Sequence, residues 1–215
     1  MKTATSTALT VAGFDPSGGA GLQADLKTFS AFGVSGKSVV TSITIQNTVG
    51  VEGVHNISPE VVEQQLRAIL RDGKPGAVKT GMLGNELIVE TVVRILRRYR
   101  IKKNVVDPVI FSSSGKLLLS ELGIQVMKKE LLPVTFLLTP NLNETEVLSG
   151  VKIRQPSDRI RAARVLVKMG AKNILIKGGH SKGAPQDFFF DGKRSLCLNA
   201  DRVTGGDVHG TGCTL

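Results

Sequence analysis

Residues 8–29 read ALTVAGFDPSGGAGLQADLKTF and contain, in order, a short apolar run, a glycine-rich turn and an amphipathic segment. The apolar run at 8–13 predicts a strand, and Leu22, Leu26 and Phe29 recur at helical spacing. A strand that passes through a glycine turn into a helix is a typical opening unit of an α/β sheet. This stretch therefore predicts the fold class.

The same alternation continues along the chain. Further short apolar runs predict strands at 39–45, 77–80, 105–106, 136–139 and 173–177. Amphipathic segments predict helices capped by Ser58, over 88–99, from about Asn143 and over 160–169. Residues 187–191 and 195–198 predict a hairpin around Gly192. The sequence predicts one domain, 1–215, with a mostly parallel sheet and covering helices.

Four polar residues and one methionine stand where the predicted strands end: Gln46, Met82 after Gly81, Asp107, Asn141 and Lys177. In open α/β sheets, ligands bind at the carboxyl ends of the strands. Because these residues follow five separate strands, we expect one site assembled along that edge.

The glycine-rich turn from Gly13 to Gly21 matches neither a Walker P-loop, since it lacks the GK[ST] ending, nor the GxGxxG fingerprint. A tight structural turn and a ligand-binding loop remain equally compatible with it. Asp25 follows one turn into the predicted helix, where an isolated carboxylate is usually solvated.

Two carboxylates and one lysine suggest phosphate chemistry. Asp107 and Glu144 could hold Mg²⁺, which prefers oxygen ligands and keeps several waters. The alternative is that Asn143 caps a helix and Glu144 favours its first turn. Lys177 precedes two glycines and is a candidate phosphate contact, although strand-end lysines are more often surface residues.

Gly210, Thr211, Gly212 and Cys213 form the strongest local signal. Successive small residues allow main-chain N–H groups to converge on an anion, and a following helix would add its dipole. Cys213 in that field would gain thiolate character. The alternative is a small hydrophobic residue buried in a turn.

The composition limits which classes of binding partner and which cellular location we expect. The formal net charge is +10, but the basic residues lie on predicted helix faces without interleaved aromatic residues, so we expect no nucleic-acid partner. The two cysteines lack CxxC spacing and a secretory context, so a disulfide is not expected. No signal peptide or membrane-length apolar run is present in these 215 residues, which favours the cytoplasm.

Seven segments occur in an order that resembles one family: GFDPSGGAGLQADLKTF (13–29), QNT (46–48), KTGML (79–83), DPV (107–109), TPNLNE (139–144), KGGH (177–180) and HGTGCTL (209–215). Together they span nearly the whole chain and are similar to the signature segments of hydroxymethylpyrimidine/phosphomethylpyrimidine kinases. That family belongs to the ribokinase-like superfamily. The resemblance implies a three-layer α/β/α fold. It also implies two successive phosphoryl transfers from ATP in thiamine biosynthesis, first to the hydroxymethyl group of an aminopyrimidine and then to the monophosphate.

The resemblance also implies roles for individual residues. The pyrimidine pocket would be lined by Gly13, Asp25, Gln46, Met82 and Val109. Asp107 and Glu144 would serve Mg²⁺, and Lys177 would neutralise phosphate charge. Gly210, Thr211 and Gly212 would form the anion hole, and Cys213 would accept the hydroxyl proton in the first transfer.

Two other functions remain open. One is a pyridoxal kinase of the same fold. The other is a catalytically silent pyrimidine-binding protein, since family members normally continue past the loop at 210–213 and the resemblance implies that the C-terminal part of the fold is absent from this chain. The resemblance further implies a homodimer.

Overall fold

A computed structural model describes residues 6–47, 50–179, 185–201 and 212. Its strands form one sheet in the spatial order β3-β2-β1-β4-β5-β6-β7-β8-β9. The strands are β1 Thr7–Phe14, β2 Ser35–Gln46, β3 Val51–Asn56, β4 Ala77–Thr80, β5 Asn104–Val106, β6 Leu137–Leu138, β7 Asn173–Ile176, β8 Gln186–Phe190 and β9 Ser195–Asn199. The helices are α1 Gly21–Ala31, α2 Pro59–Asp72, α3 Glu86–Arg98, α4 Glu121–Val126, α5 Leu142–Ser149 and α6 Pro156–Lys168. A π-helical turn, Met127–Leu131, and a 3-10 turn, Leu132–Val134, continue α4.

The centre of the sheet is parallel, as the sequence predicts. Strands β2, β1, β4, β5, β6 and β7 pair in parallel, whereas β3, β8 and β9 are antiparallel additions at the two sides. The hairpin predicted around Gly192 is confirmed as β8 and β9. Because the six central strands run in one direction, their carboxyl ends meet at one edge of the sheet.

The sequence did not predict β3 or α4. Strand β3 contains Glu52, Gly53 and His55, so it lacks the alternation of apolar and polar residues that marks a strand. It is a strand because it pairs in antiparallel orientation with β2, and its own side-chain pattern does not indicate one.

Local capping signals explain where several helices begin. The side chain of Ser58 accepts a hydrogen bond from the Val61 amide, and Pro59 occupies the first position of α2, as predicted. The helix predicted from about Asn143 begins at Leu142, and its cap is Asn141 rather than Asn143.

Arg94 on the exposed face of α3 forms its ion pair with the neighbouring helix α2. Glu90 and Arg94 have the i,i+4 spacing of an intrahelical ion pair. In the structure the Arg94 guanidinium instead binds Glu63 of α2 at 2.8 Å. That contact ties two neighbouring helices together.

Different helices pack against the two faces of the sheet. Leu9 and Val11 of β1 belong to one continuous core with the apolar stripes of α2 and α3, whereas Thr10, which points the other way, bonds to Asp25 of α1. Leu148 and Leu166 extend the first core to α5 and α6. Full burial of one such leucine contributes about 1.5–3 kcal/mol. The result is a three-layer α/β arrangement with α1 on the second face.

In the part of the chain that the structure describes, no helix has both the length and the apolar character needed to cross a bilayer.

Candidate active site

The glycine-rich turn is organised by Asp15, a residue for which the sequence analysis predicted no role. Its carboxylate is 2% exposed. It accepts hydrogen bonds from the amides of Ser17 at 2.9 Å, Gly19 at 3.1 Å and Ala20 at 2.7 Å, and from the Ser17 hydroxyl at 2.7 Å. These amides therefore converge on a carboxylate of the same chain, which favours the structural-turn interpretation.

The turn also needs glycine at its end. Gly21 has φ +56°, and a Cβ at this position would collide with the carbonyl oxygen of Gly13. The turn therefore folds back closely on the end of β1.

Asp15 also contacts Gln46, the predicted substrate residue at the end of β2. Burial alone would raise the pKa of Asp15, but hydrogen bonds from Ser17, Gln46 and Ala20 outweigh it and lower the pKa to about 2. An ionised carboxylate accepts only, so the side-chain amide of Gln46 donates to it. That bond directs the Gln46 amide oxygen away from Asp15.

This low pKa makes the folded state sensitive to acid. The native pKa is about 2, below the ordinary 3.8, so the stabilisation is present above pH 3.8 and is lost as the pH falls through about 2. We expect Asp15→Asn to cost about 1–2 kcal/mol at neutral pH. Thermal unfolding of both proteins between pH 6 and 2 should show melting temperatures that converge as the pH falls. Parallel curves would contradict this assignment.

Asp25 is not a solvated helix residue. It is 2% exposed, and its Oδ1 lies 2.7 Å from Nζ of Lys79, while the Thr10 hydroxyl donates to its Oδ2. Thr10 and Lys79 are register partners on β1 and β4. The aspartate predicted to contact the pyrimidine is thus held by both strands beneath the site.

The structure brings Gly13 and Met82 together at the ends of β1 and β4. A Cβ placed on Gly13 would lie 3.2 Å from the Met82 sulfur, so the glycine leaves room for that side chain. The Thr41 hydroxyl donates to the Met82 carbonyl at 2.6 Å. Val109 follows β5, the next strand of the sheet, in a left-handed backbone conformation with φ +42°.

Asp107, Glu144 and Lys177 form a second cluster farther along the edge. Lys177 Nζ lies 2.8 Å from Asp107 Oδ1, with both side chains largely buried. Glu144 is 2% exposed, and burial followed by the charge of Asp107 raises its pKa, although Lys177 opposes that shift. The lysine therefore balances two carboxylates, and it is not the surface residue that its position at a strand end allowed.

The two carboxylates suit a hard cation only with help from other oxygen atoms. The residues that the structure describes contain no group of three or more His, Cys, Asp or Glu side chains arranged to hold a metal. Asp107 and Glu144 supply the oxygen ligands that Mg²⁺ prefers, and water or phosphate oxygens would complete its coordination. Glu144 also forms a reciprocal capping box with Asn141. The helix-capping alternative is thereby confirmed for Glu144, although with a different cap residue.

Of the predicted anion-hole loop, the structure describes Gly212. This residue is helical, and a Cβ placed on it would lie 3.6 Å from Lys177 Nζ. Gly210, Thr211 and Cys213 lie outside the described residues. The one point of the loop that can be located is therefore next to the lysine that was predicted to contact phosphate.

Comparison with known proteins identifies the family of the chain. The family model described as phosphomethylpyrimidine kinase matches residues 15–215. The hydroxymethylpyrimidine/phosphomethylpyrimidine kinase of Bacillus subtilis is 43% identical over 210 residues, which cover 97% of this chain and 78% of that protein. The chain belongs to the phosphomethylpyrimidine kinase family. The counterpart from Aquifex aeolicus is also 43% identical, over 207 residues that cover 96% of this chain and 81% of that protein.

Solved structures agree with the family and the fold. The phosphomethylpyrimidine kinase of Clostridium difficile superposes with a TM-score of 0.85 at 40% identity, covering 91% of this chain and 85% of that one. A pyridoxal kinase from Staphylococcus aureus, in complex with AMP-PCP and pyridoxal, gives a TM-score of 0.88 at 35% identity, covering 99% and 77%. The ribokinase-like fold predicted from the sequence is therefore confirmed.

Proposed function

We propose that this member of the phosphomethylpyrimidine kinase family transfers the γ-phosphoryl group of ATP to 4-amino-5-hydroxymethyl-2-methylpyrimidine and then to the resulting monophosphate, in thiamine biosynthesis. The observation that carries the proposal is the position of Lys177. Its ammonium group lies close to both the Asp107 carboxylate and Gly212, at the sheet edge that also carries Gly13 and Met82. A cation at that point can bind a phosphate between an acceptor pocket and an anion-binding loop.

The acceptor would lie over the ends of β1, β2 and β4. Met82 offers an apolar contact to the ring, and the Gln46 amide oxygen, directed by Asp15, can accept a hydrogen bond from an amino or hydroxyl group. Asp25 is held by Lys79 and Thr10 and can accept a further bond through its remaining lone pairs. Val109 would close the side of the pocket next to β5.

The phosphate groups would lie over the second cluster. We assign Asp107 and Glu144 to Mg²⁺, in part through water, and Lys177 to the charge of the transferring phosphoryl group. When bound, the metal would neutralise charge on the phosphate oxygens. Gly210, Thr211 and Gly212 would donate main-chain N–H groups to the same oxygens. Positioning and charge stabilisation account for most of the catalysis in such transfers.

The direct test is a pair of assays. Purified protein with ATP and Mg²⁺ is offered the aminopyrimidine or pyridoxal at matched concentrations, and products are followed by mass. We expect a monophosphate and then a diphosphate of the pyrimidine. A larger kcat/KM for pyridoxal would instead support the alternative, which the TM-score of 0.88 to the pyridoxal complex motivates. Pyrimidine binding without ATP turnover would support a silent binding protein.

Cys213 should matter more in the first transfer than in the second. The acceptor hydroxyl must lose a proton, whereas the acceptor phosphate of the second step is already largely ionised near neutral pH. We expect Cys213→Ala to slow the first step at least about tenfold more than the second. Rates measured separately from the pyrimidine and from its monophosphate decide this, and equal losses would exclude the thiol as the base.

We also propose a cytoplasmic homodimer, following the family resemblance. Light scattering of the purified protein across a concentration series measures the oligomeric state, and a mass of one chain throughout would refute the dimer.

A further inference from the structure

Val109 occupies a strained position at the sheet edge. Its φ of +42° lies in the left-handed region, which is unfavourable for a β-branched residue. It follows Pro108, whose ring restricts Asp107 to an extended conformation. Such conformations cost about 1–3 kcal/mol and persist only where the surroundings hold them.

Glu144 is the side chain that holds this turn. Its Oε1 accepts a hydrogen bond from the Ile110 amide at 3.1 Å, immediately after Val109. Its Oε2 accepts from the Asn141 amide at 2.9 Å, in the turn after β6. One buried carboxylate thus fastens two neighbouring strand-end turns to the start of α5.

Each fastened turn leads to one member of the Asp107–Lys177 ion pair. Asp107 lies two residues before Val109 in the first turn. The second turn pairs with the end of β7, since Asn141 bridges Lys177 and the Lys177 amide donates to Pro140 at 2.8 Å. Glu144 therefore fixes the positions of both members of the Asp107–Lys177 ion pair, although it is not itself a member of that pair.

We propose that Glu144 is a positioning residue that clamps the Val109 turn in its strained conformation, so that the Val109 wall of the acceptor pocket and Asp107 are set before any nucleotide or metal binds. The consequence for pyrimidine binding depends on the proposed function. This role is separate from metal binding, because it acts in the empty site.

The test measures the affinity for the aminopyrimidine by calorimetry without ATP and without divalent cations. We expect Glu144→Gln, which keeps the volume but can accept through only one atom, to weaken binding about tenfold, the size of coupling common between neighbouring residues. Amide exchange should accelerate at Ile110 or Asn141. A residue that served only as a metal ligand would change neither measurement.

Substitutions at Val109 test the strain itself. Glycine adopts positive φ without penalty, so in a Val109→Gly background the further effect of Glu144→Gln should shrink below about threefold. Val109→Ala removes the branched methyl groups but keeps the Cβ, which makes positive φ unfavourable for any L-residue, so in that background the effect should stay near tenfold. Asp158→Asn is the matched control, because the Asp158 carboxylate likewise accepts from two main-chain amides, but these are the amides of Arg154 and Gln155 and not those of Ile110 and Asn141.

The outcomes separate this inference from the proposed function. Unchanged amide exchange at both sites in Glu144→Gln, or equal effects of that change in all three backgrounds, would overturn the clamp. If the wild-type protein does not bind the pyrimidine while exchange still accelerates at Ile110 or Asn141, the clamp stands and the proposed substrate is wrong.

Discussion

Replacing Lys177 with methionine should lower kcat about 10²–10³-fold while the protein still folds. The ammonium group lies 2.8 Å from Asp107 and close to Gly212, and under the proposed function it would neutralise charge on the transferring phosphoryl group. Methionine keeps most of the apolar stem and removes the charge. Steady-state turnover of ATP with the aminopyrimidine measures the effect.

Stability must be separated from catalysis in this variant. Breaking a largely buried ion pair on one side costs about 3–5 kcal/mol, because an unpaired charge remains. The remaining carboxylate is Asp107, whose charge already raises the pKa of Glu144. A second variant, Lys177→Met with Asp107→Asn, should recover much of the melting temperature, which would show that the loss of stability comes from the unpaired carboxylate. Turnover should stay low, because Asp107 is itself assigned to the metal. Recovery of turnover as well would mean that Lys177 acts only as a counter-ion and that Asp107 is not needed for metal binding.

Lys172 provides a matched control. It precedes the same strand but is exposed. Lys172→Met should leave both turnover and melting temperature nearly unchanged, and a loss comparable to that of Lys177→Met would indicate a general effect of reducing the positive charge of the chain.

The sequence predicted the edge of the sheet better than the contacts along it. Gln46, Met82, Asp107 and Lys177 lie at the strand ends where they were expected, because a parallel sheet brings such ends together whatever the intervening loops do. Asp15 and Lys79 were missed as organising residues. Both stand within segments that carry the family resemblance, but their partners lie on other elements and are visible only in the folded chain.

Glu144 shows why a motif and its alternative need not compete. The spacing from Asn141 to Glu144 allows both a capping box and a metal-binding pair. The structure shows the capping box, and metal binding remains a proposal. Glu144 also accepts a hydrogen bond from the Ile110 amide, and this bond depends on how the turn after β5 packs. That contact joins residues 34 positions apart, and residue spacing within α5 does not reveal it.

A large loss of stability is also expected when the ion pair between Asp25 and Lys79, under the proposed acceptor pocket, is opened. In Asp25→Ala, the Lys79 ammonium loses its partner at 2.7 Å and the buried Thr10 hydroxyl loses its acceptor. We expect a cost of about 3–5 kcal/mol, which lowers the melting temperature of a domain of this size by roughly 6–20 °C. Thermal unfolding followed by circular dichroism measures it.

Two further variants distinguish a role of the Asp25–Lys79 pair in stability from a role in substrate binding. Replacing both partners with apolar residues, as in Asp25→Leu with Lys79→Met, removes the unpaired charge and should recover stability. Asp72→Ala, which opens the exposed pair between Lys37 and Asp72 at 2.7 Å, should leave the melting temperature nearly unchanged. If the doubly apolar protein is stable but binds the aminopyrimidine no more weakly than wild type, Asp25 only supports the fold. Weak binding by a stable protein would show that the buried charges are retained for recognition of the substrate.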